Sequence, residues 1–457
     1  MENIVPTQYN LYQKAAAGRP VNKDLGPLLI NFAKTELFTP FYARTKWKQF
    51  SADKTRLAAY NLKRFYIHIP YCKNSLCHYC KYSSVLLKNP EQLDTYTDYL
   101  VAYLRYFSTA LKPIKFSMIY IGGGTPSILR ADQLNRIIST ARSCYDFSEL
   151  TAFTCEMHPE HWSPEQVKVL KDGGCTRISM GVQSLKQSIL KDTNRTQHEE
   201  NVTRLIKCAR EYGIPNVNAD LILGLRNDTI ASVLHGIKAM MKHKLETITI
   251  YTLDIENTLR GGYEKLGENH VRRLETLKKD FVPAVSPLAK EYGYRIYPNP
   301  MGFHIAKEEV IPVMGSFDRE TEMARIEFGA GLHSISRIGN EMEYCDNAPD
   351  HRFAPGKKTL KGKEYSLDEQ IAWYSIRNLR LYGYLDMEAL HKRFGINPRK
   401  YFSAPLSLLR SLGRVRMEGN RIYFKERKRK ARNGDILFLC DYVNGTIRKN
   451  VMEGRTL

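Results

Sequence analysis

Long apolar runs are absent from this sequence. No segment approaches the roughly 18–20 consecutive apolar residues that a membrane-spanning helix needs. The first residues, MENIVPTQYNLYQKAAAGRPVNKD, are too polar to form the apolar core of a secretory signal. We therefore expect a cytoplasmic protein without a membrane span.

Cysteine is also scarce, with nine residues in a chain of 457. Six of them stand singly, mostly in apolar or helical surroundings, where thiols behave as small core side chains and no disulfide framework is expected. These six are Cys144, Cys155, Cys175, Cys208, Cys345 and Cys440. The other three, Cys72, Cys77 and Cys80, fall within nine positions, and no second cysteine pair lies near them.

Acidic residues are outnumbered, 48 against 69 lysines and arginines, which gives a formal net charge of +21. Such a charge favours binding to an acidic partner. The candidates are a nucleic acid, a membrane surface and a substrate that carries carboxylates. The densest basic run, KERKRKAR (425–432), contains no aromatic residue. We interpret it as a solvated segment, with a binding role as the alternative. We predict a small anionic substrate and no nucleic-acid partner.

The sequence pattern divides the chain into four parts. Residues 1–60 have no clear period and predict a helical or irregular N-terminal extension. Residues 61–350 alternate between strand and helix patterns, and 351–366 form a polar, basic linker. Residues 367–457 predict a helical domain that ends in a β-hairpin and a basic tail. This arrangement resembles a winged helix, which we interpret as a docking lid rather than a DNA-binding module.

Seven strands are predicted between 61 and 350, with helices between most of them. They are 64–70, 116–121, 151–157, 176–182, 216–225, 247–253 and 294–298. Such alternation implies parallel strands joined by right-handed crossovers. The predicted fold class is therefore α/β, with a complete or partial barrel favoured over a six-stranded dinucleotide-binding fold.

Unusual residues follow the first four predicted strands. The three cysteines come after the first strand, GGGTPS (122–127) after the second, EMHPE (156–160) after the third and GVQS (181–184) after the fourth. In α/β barrels the chemistry is carried by loops at the carboxyl ends of the strands. The pattern therefore predicts an active site at that end.

Three thiols in one loop indicate zinc, redox chemistry or an iron–sulfur cluster. Structural zinc takes four ligands, for which only His68 and His78 flank the cysteines. A redox pair would use Cys77 and Cys80 and leave Cys72 unexplained. An iron–sulfur cubane held by three cysteines would keep its fourth iron open for another ligand. We favour the cluster, with zinc and a redox pair as the alternatives.

Five motifs resemble the radical S-adenosylmethionine family. They are FYIHIPYC…CHYC, IYIGGGTPS, SMGVQS, NADLILGL and FGAGLHSIS, which together cover about residues 60–340. Within that family they are most similar to the branch of oxygen-independent coproporphyrinogen III oxidases and haem chaperones. The resemblance implies a radical-SAM-type partial TIM barrel with one [4Fe–4S] cluster and one or two molecules of S-adenosylmethionine. It also implies reductive cleavage to a 5′-deoxyadenosyl radical, which abstracts hydrogen from the substrate.

The resemblance also assigns site residues by position. Cys72, Cys77 and Cys80 would bind the cluster, and Tyr66, Gly123 and Glu156 would contact the first S-adenosylmethionine. The positions that would line a second molecule are Tyr79, Gly124, Thr125, Gln183, Arg195 and Asp220. Asp254 and Ile335 match two further cofactor-binding positions. The electron donor would be a protein such as flavodoxin or ferredoxin.

Two features depart from that family. CKNSLC places four residues between the first two cysteines where the family has three, and we expect a bulge to absorb the additional residue. Tyr82 stands where the oxidases carry a further cysteine. Three hypotheses follow: oxidative decarboxylation of a carboxylate-bearing tetrapyrrole, radical C-methylation with a second S-adenosylmethionine, and haem binding by a chaperone without turnover. The first is favoured.

Overall fold

The computed structural model describes residues 36–58, 60, 62–255, 263, 266–299, 301–310, 325–339, 341–346, 355, 358–425, 434–436 and 438–440. The chain forms two compact units. The larger comprises Phe38–Ile338 and Cys345–Leu360, and most described residues of the smaller lie between 361 and 440. No helix among the described residues has the length and apolar character needed to cross a membrane.

The larger unit is built on strands that alternate with helices. In chain order the strands are β1 (Glu36–Phe38), of which only Phe38 belongs to this unit, β2 (Leu62–Ile69), β3 (Tyr71–Cys72), β4 (Val85–Leu86), β5 (Met118–Gly123), β6 (Ala152–Met157), β7 (Arg177–Gln183), β8 (Asn216–Leu223), β9 (Thr247–Thr252), β10 (Tyr294–Asn299), β11 (Gly302–Lys307), β12 (Arg325–Ala330) and β13 (Ile335–Ile338).

Its helices are α1 (Pro40–Ala52), α2 (Lys54–Ala58), α3 (Glu91–Leu111), α4 (Ala131–Cys144), α5 (Pro164–Asp172), α6 (Gln187–Asp192), α7 (Glu199–Glu211), α8 (Ile230–Lys242) and α9 (Glu268–Glu291). Helix α5 begins where its sequence predicts. Ser163 accepts a hydrogen bond from the Gln166 amide, and the Gln166 side chain accepts one from the Ser163 amide. This reciprocal cap, with Pro164 in the first helical position, fixes the start of the helix.

Seven strands run parallel in the order β12, β2, β5, β6, β7, β8, β9. The predicted α/β class is confirmed, as are the first six predicted strands. The seventh predicted strand, 294–298, is not the neighbour of β9. Strand β11 lies between β9 and β10 and pairs antiparallel with both. The seventh parallel strand is β12 on the other side of β2, which the sequence pattern did not predict.

An aromatic core holds the start of the sheet against its helices. The ring of Phe65 on β2 lies 5.1 Å from that of Phe116, 4.7 Å from that of Tyr145, 5.3 Å from that of Phe147 and 5.4 Å from that of Phe328. Large buried rings contribute strongly to core stability. This packing fixes β2, whose carboxyl end leads into the cysteine loop.

The other face of the central strands is polar. Along β7, Ile178 and Met180 are fully buried, while Arg177 and Ser179 alternate with them and lie on the opposite face. The same alternation gives β8 the polar positions Asn218 and Asp220. The concave interior of the sheet is therefore lined by hydrogen-bonding groups, as a binding site for a polar ligand requires.

The smaller unit contains strands and short helices. They are β14 (Met342–Cys345), β15 (Leu360–Glu364), α10 (Leu367–Leu381), β16 (Tyr384–Asp386), α11 (Met387–Phe394), α12 (Pro398–Tyr401), α13 (Ser403–Ser411), β17 (Val415–Glu418) and β18 (Arg421–Phe424). Strand β18 pairs antiparallel with both β16 and β17. Except for Lys425, the basic run 425–432 lies outside the described residues, as does 1–35 of the N-terminal extension. The proposed domain boundaries stay predictions.

Candidate active site at the carboxyl ends of the strands

The cysteine loop is closed by two short strands. Strand β3 pairs in parallel with β4, so that Cys72 lies opposite Leu86. The Val85 amide donates to the carbonyl of Pro70 at 2.8 Å, and the Leu87 amide donates to the carbonyl of Cys72 at 2.8 Å. Cys72, Cys77 and Cys80 are of intermediate exposure within this closed loop, and none of the three forms a disulfide. The loop is therefore tied at its base while its sulfurs remain available as ligands.

A second set of bonds fixes the loop to the turn after α6. Ser75 donates its hydroxyl to the carbonyl of Asn194 at 2.8 Å, and the Asn194 side chain donates to the carbonyl of Leu76 at 3.1 Å. The His78 amide donates to the carbonyl of Thr193 at 3.0 Å. The middle of the cysteine loop is therefore held by the main chain that precedes Arg195.

The additional residue between the first two cysteines falls in a tight turn. Asn74 has a φ of 62°, and the Ser75 amide lies 2.6 Å from the carbonyl oxygen of Lys73. Asparagine adopts this left-handed conformation more readily than most residues. The turn takes up chain length locally, in agreement with the expectation that the additional residue is absorbed within the loop.

Two polar side chains from outside the cysteine loop reach the sulfurs, one after β5 and one after α6. The Thr125 hydroxyl lies 3.7 Å from the Cys72 sulfur, and Arg195 Nη1 lies 3.7 Å from the Cys77 sulfur. Hydrogen bonds to cluster sulfurs are one of the means by which proteins tune iron–sulfur centres. Within the described residues, no group of three or more His, Cys, Asp or Glu side chains is arranged to hold a single metal ion.

The glycine turn packs directly against the cysteine loop. A Cβ added to Gly124 would lie 2.6 Å from the carbonyl oxygen of Tyr71, and one added to Gly123 would lie 2.7 Å from that of Ile69. Gly123 also has a φ of +120°, which glycine adopts most readily. These glycines therefore allow the turn to pack closely against the main chain that leads into Cys72.

Glu156 lies at the end of β6 and faces the glycine turn. It accepts a hydrogen bond from the Tyr120 hydroxyl at 2.6 Å and one from the Gly123 amide at 3.2 Å. Burial raises the pKa of Glu156 to about 7, although the hydrogen bond from Tyr120 opposes the shift. The carboxyl group therefore exchanges its proton close to neutral pH.

Asp220 on β8 is the second buried acid of the interior. It accepts hydrogen bonds from the Ser179 hydroxyl and the Asn218 amide group, both at 2.8 Å. Burial raises the pKa of Asp220, and the positive charge of Arg177 opposes that shift. Both of these hydrogen bonds to Asp220 therefore come from neutral donors.

Arg195 connects the strand ends to the thiols. Besides its contact with Cys77, it donates Nε to Gln197 at 3.1 Å and Nη2 to the carbonyl of Gly181. Burial raises the pKa of Tyr79 well above its usual value, and the neighbouring Cys77 adds to the shift. Gln183, at the end of β7, has a φ of 66°, in the left-handed region. The structure therefore brings Tyr79, Gln183 and Arg195 to one edge.

The remaining candidates border the same edge. The Tyr66 hydroxyl lies 2.8 Å from Nδ1 of His68, and burial raises the pKa of Tyr66 well above its usual value. Asp254, just after β9, forms an ion pair with Lys81 at 3.2 Å, beside Cys80 in the chain. Ile335 is 38% exposed and begins β13, beside β12, which pairs with β2.

The sequence motifs did not predict the polar interior beneath these residues. This interior contains Arg177, Ser179 and Asn218, which alternate with apolar residues along β7 and β8. A parallel strand buried between helices on both faces is apolar throughout. Alternation on a central strand was therefore the available signal that one face lines a polar site.

The pH dependence of stability provides a first test of this interior. We expect Glu156→Gln to become more stable relative to the wild type as the pH rises from about 5 to about 8. Because the pKa of Glu156 rises from 4.5 to about 7 on folding, the folded state binds more protons in that range. The wild type therefore loses free energy of unfolding as the pH rises, on the order of 3 kcal/mol at most. Urea unfolding of the cofactor-free proteins measures the difference.

Glu211→Gln is the matched control, because Glu211 is an exposed glutamate at the end of α7. Its stability difference from the wild type should stay level over the same pH range. A constant difference for Glu156→Gln would contradict the raised pKa.

Comparison with known proteins places this geometry among relatives. The model of the Radical SAM superfamily matches residues 66–256. Heme chaperone HemW from Lactococcus lactis is 26% identical over 389 residues, which cover 83% of this chain and 98% of the relative. The oxygen-independent coproporphyrinogen III oxidase of Salmonella typhimurium is 25% identical over 362 residues, covering 76% of this chain and 78% of the relative.

A solved structure has the same fold. Coproporphyrinogen III oxidase (HemN) from Escherichia coli superposes with a TM-score of 0.67 at 21% identity, covering 87% of this chain and 93% of that chain. The partial barrel predicted from the motifs is thereby confirmed.

Proposed function

We propose that this chain is a member of the radical SAM superfamily, in the branch of oxygen-independent coproporphyrinogen III oxidases and haem chaperones, and that it is an enzyme acting on a carboxylate-bearing tetrapyrrole. The superfamily uses a [4Fe–4S] cluster and S-adenosylmethionine, and we propose these as the cofactors of this chain. The proposed reaction is an oxidative decarboxylation, which the resemblance of the motifs to the oxidase branch implies.

The donor set fits the cluster. Cys72, Cys77 and Cys80 form no disulfide, and their loop is tied at both its base and its middle. Three thiolates would hold three irons and leave one for S-adenosylmethionine. When bound, the two cofactors supply the 5′-deoxyadenosyl radical that takes hydrogen from the substrate. The contacts of Thr125 and Arg195 with the sulfurs carry this proposal, because they join the strand ends to the cysteine loop.

The other side chains would position S-adenosylmethionine. Glu156 in its ionised form would accept hydrogen bonds from an ammonium group or ribose hydroxyls. Asp220 would act in the same way toward a second molecule. The first molecule would contact Tyr66, Gly123 and Glu156, and the second Tyr79, Gly124, Thr125, Gln183, Arg195 and Asp220. Asp254 and Ile335 would complete the edge of the site.

The charge of the chain supports an anionic substrate. With a net charge of +21, the protein attracts propionate groups from solution, and attraction of this kind raises association rates. The polar interior would receive such groups, whereas an apolar interior would impose a large desolvation penalty on them. We propose a donor such as flavodoxin or ferredoxin for the electron.

The test is an anaerobic assay of the reconstituted protein with dithionite, S-adenosylmethionine and coproporphyrinogen III. We expect 5′-deoxyadenosine and loss of carboxylate from the tetrapyrrole in step with each other. The tetramethyl ester of the substrate is the control and should give neither above background. No change in the tetrapyrrole over many equivalents of S-adenosylmethionine would contradict the proposal.

Haem binding without turnover is the second candidate. It is favoured by the haem chaperone relative, of which this chain covers 98%, and by Tyr82, which stands where a further cysteine was expected in an oxidase. This function would give a stable haem complex and little 5′-deoxyadenosine. Methyl transfer would instead give S-adenosylhomocysteine beside 5′-deoxyadenosine. The product measurements of this assay, together with a separate haem titration, therefore separate the three functions.

A further inference from the structure

A buried guanidinium group in the larger unit has no hydrogen-bond partner. Arg177 is 3% exposed, and its Nε, Nη1 and Nη2 atoms make no hydrogen bond in the described part of the chain. A buried donor without a partner costs about 1–3 kcal/mol, and more when it is charged. Such a group in a folded protein calls for an explanation, which includes a partner from outside the chain such as an ordered water, an ion or a ligand.

The position of Arg177 places it beneath the proposed cofactor residues. It begins β7, where it pairs with Thr154 on β6 and Asn216 on β8. Two residues further, Ser179 pairs with Glu156, and Gly181 pairs with Asp220. All of these lie on the interior face, and each pair of residues advances about 7 Å along a strand. By this register, Arg177 lies one layer deeper than Glu156 and two layers deeper than Asp220.

Neither acid serves as a partner for this guanidinium. Asp220 is bonded to Ser179 and Asn218, and Glu156 to Tyr120 and Gly123. The charge of Arg177 affects both carboxyl groups electrostatically without forming a hydrogen bond to either. Both acids are thus hydrogen-bonded to neutral donors, and the guanidinium group of Arg177 could bind another anion.

The remaining titratable neighbours do not supply that anion. Arg177 also acts electrostatically on Tyr120, Tyr251, His304 and Cys175. Burial raises the pKa values of both tyrosines well above their usual range, raises the pKa of the Cys175 thiol to about 12 and lowers the pKa of His304 to about 4. All four side chains are therefore neutral at pH 7.

We propose that Arg177 binds a carboxylate group of the substrate inside the barrel, below the cofactor layer. The planar guanidinium would donate two parallel hydrogen bonds to the two carboxylate oxygens, the geometry in which arginine recognises carboxylates best. A lysine would offer a point charge without that fork. The inference rests on the proposed function for the identity of the substrate. It holds that Arg177, and not the residues that bind the cofactors, binds one carboxylate of that substrate.

The first test compares an acid with its ester on the holoprotein. Coproporphyrin III and its tetramethyl ester are titrated into protein that holds its cluster and S-adenosylmethionine, and binding is followed by porphyrin fluorescence. We expect Arg177→Gln to weaken binding of the acid about ten- to a hundredfold and to leave the ester unchanged. The affinity of Arg177→Lys for the acid should lie between that of the wild type and that of Arg177→Gln. Arg105→Gln, an exposed arginine on α3, is the control for lost charge.

The second test does not depend on a tetrapyrrole. Sodium propionate, compared with sodium chloride at equal ionic strength, should raise the unfolding temperature of the wild type and of Arg105→Gln but not of Arg177→Gln. Should Arg177→Gln fail to fold, Arg177→Lys decides, because it keeps the charge and loses the fork. It should then show a reduced response to propionate and a reduced preference for acid over ester.

The outcomes separate the two proposals. A propionate effect that needs Arg177, without porphyrin binding, supports the carboxylate site and rejects the tetrapyrrole as substrate. Equal responses of the wild type and both Arg177 variants in both tests overturn the role of Arg177, whatever the substrate. A wild type that responds to neither probe overturns both proposals.

Discussion

Cys77→Ala is expected to abolish the iron–sulfur absorbance of the reconstituted protein together with all formation of 5′-deoxyadenosine. Each thiolate holds a different iron of a cubane, so the loss of one leaves a corner without a protein ligand. The rate should fall at least about a thousandfold, because the radical cannot form without the cluster. Iron and acid-labile sulfide per chain, measured under anaerobic conditions, test the expectation directly.

Cys144→Ala is the matched control, because Cys144 is a half-exposed thiol on α4, on the helical side of the sheet. It should keep the full iron content and activity. Full iron in Cys77→Ala would refute the ligand assignment. Zinc in the wild type, bound with the help of His68 or His78, would refute the cluster itself.

The cysteine loop and its surroundings form a prebuilt frame. The base of the loop is fixed by β3 and β4, its middle by Asn194, and two of its sulfurs are contacted by Thr125 and Arg195. Groups held in place before binding lose less conformational entropy when a ligand arrives. The frame also explains why residues far apart in sequence belong to one site, since parallel strands bring their carboxyl ends to one edge.

The sequence could predict the features that depend on local pattern. Ser163 and Pro164 mark the start of α5, and the residues that follow the first four strands meet at one edge because all those strands are parallel. Local pattern could not predict that β11 lies between β9 and β10, because the periodicity of a sequence does not say which strands pair with each other. Strand β12 was missed for the same reason, as its pairing with β2 joins residues more than 250 positions apart.

The polar interior shows a second limit. The strand pattern does not single out Arg177 or Asn218, because periodicity identifies a strand without fixing what faces each of its side chains. Their role depends on partners contributed by adjacent strands, and those partners are known only when the register is known. The function of a buried charged residue is thus decided by tertiary structure, which the alternation of residue types only indicates.

Gly124→Ala is expected to have an effect on cluster content nearly as large as that of the cysteine substitution. The added Cβ would lie 2.6 Å from the carbonyl oxygen and 2.9 Å from the carbonyl carbon of Tyr71, both of them main-chain atoms. The main chain cannot rotate away as a side chain does, so β3 and Cys72 must move. We expect a loss of about 1–3 kcal/mol or more of stability. Urea unfolding and iron content per chain measure the two effects.

Gly236→Ala separates this local clash from the general effect of replacing a buried glycine. Gly236 lies in α8, where an added Cβ would meet only Leu221 side-chain atoms at 3.6 and 3.7 Å, an ordinary contact distance. Alanine also favours the helical conformation over glycine by about 0.5–1 kcal/mol. That variant should be as stable as the wild type or more so, with full iron. If Gly124→Ala also kept full iron and stability, the glycine turn would not position Cys72, and the coupling between the turn and the cysteine loop would have to be abandoned.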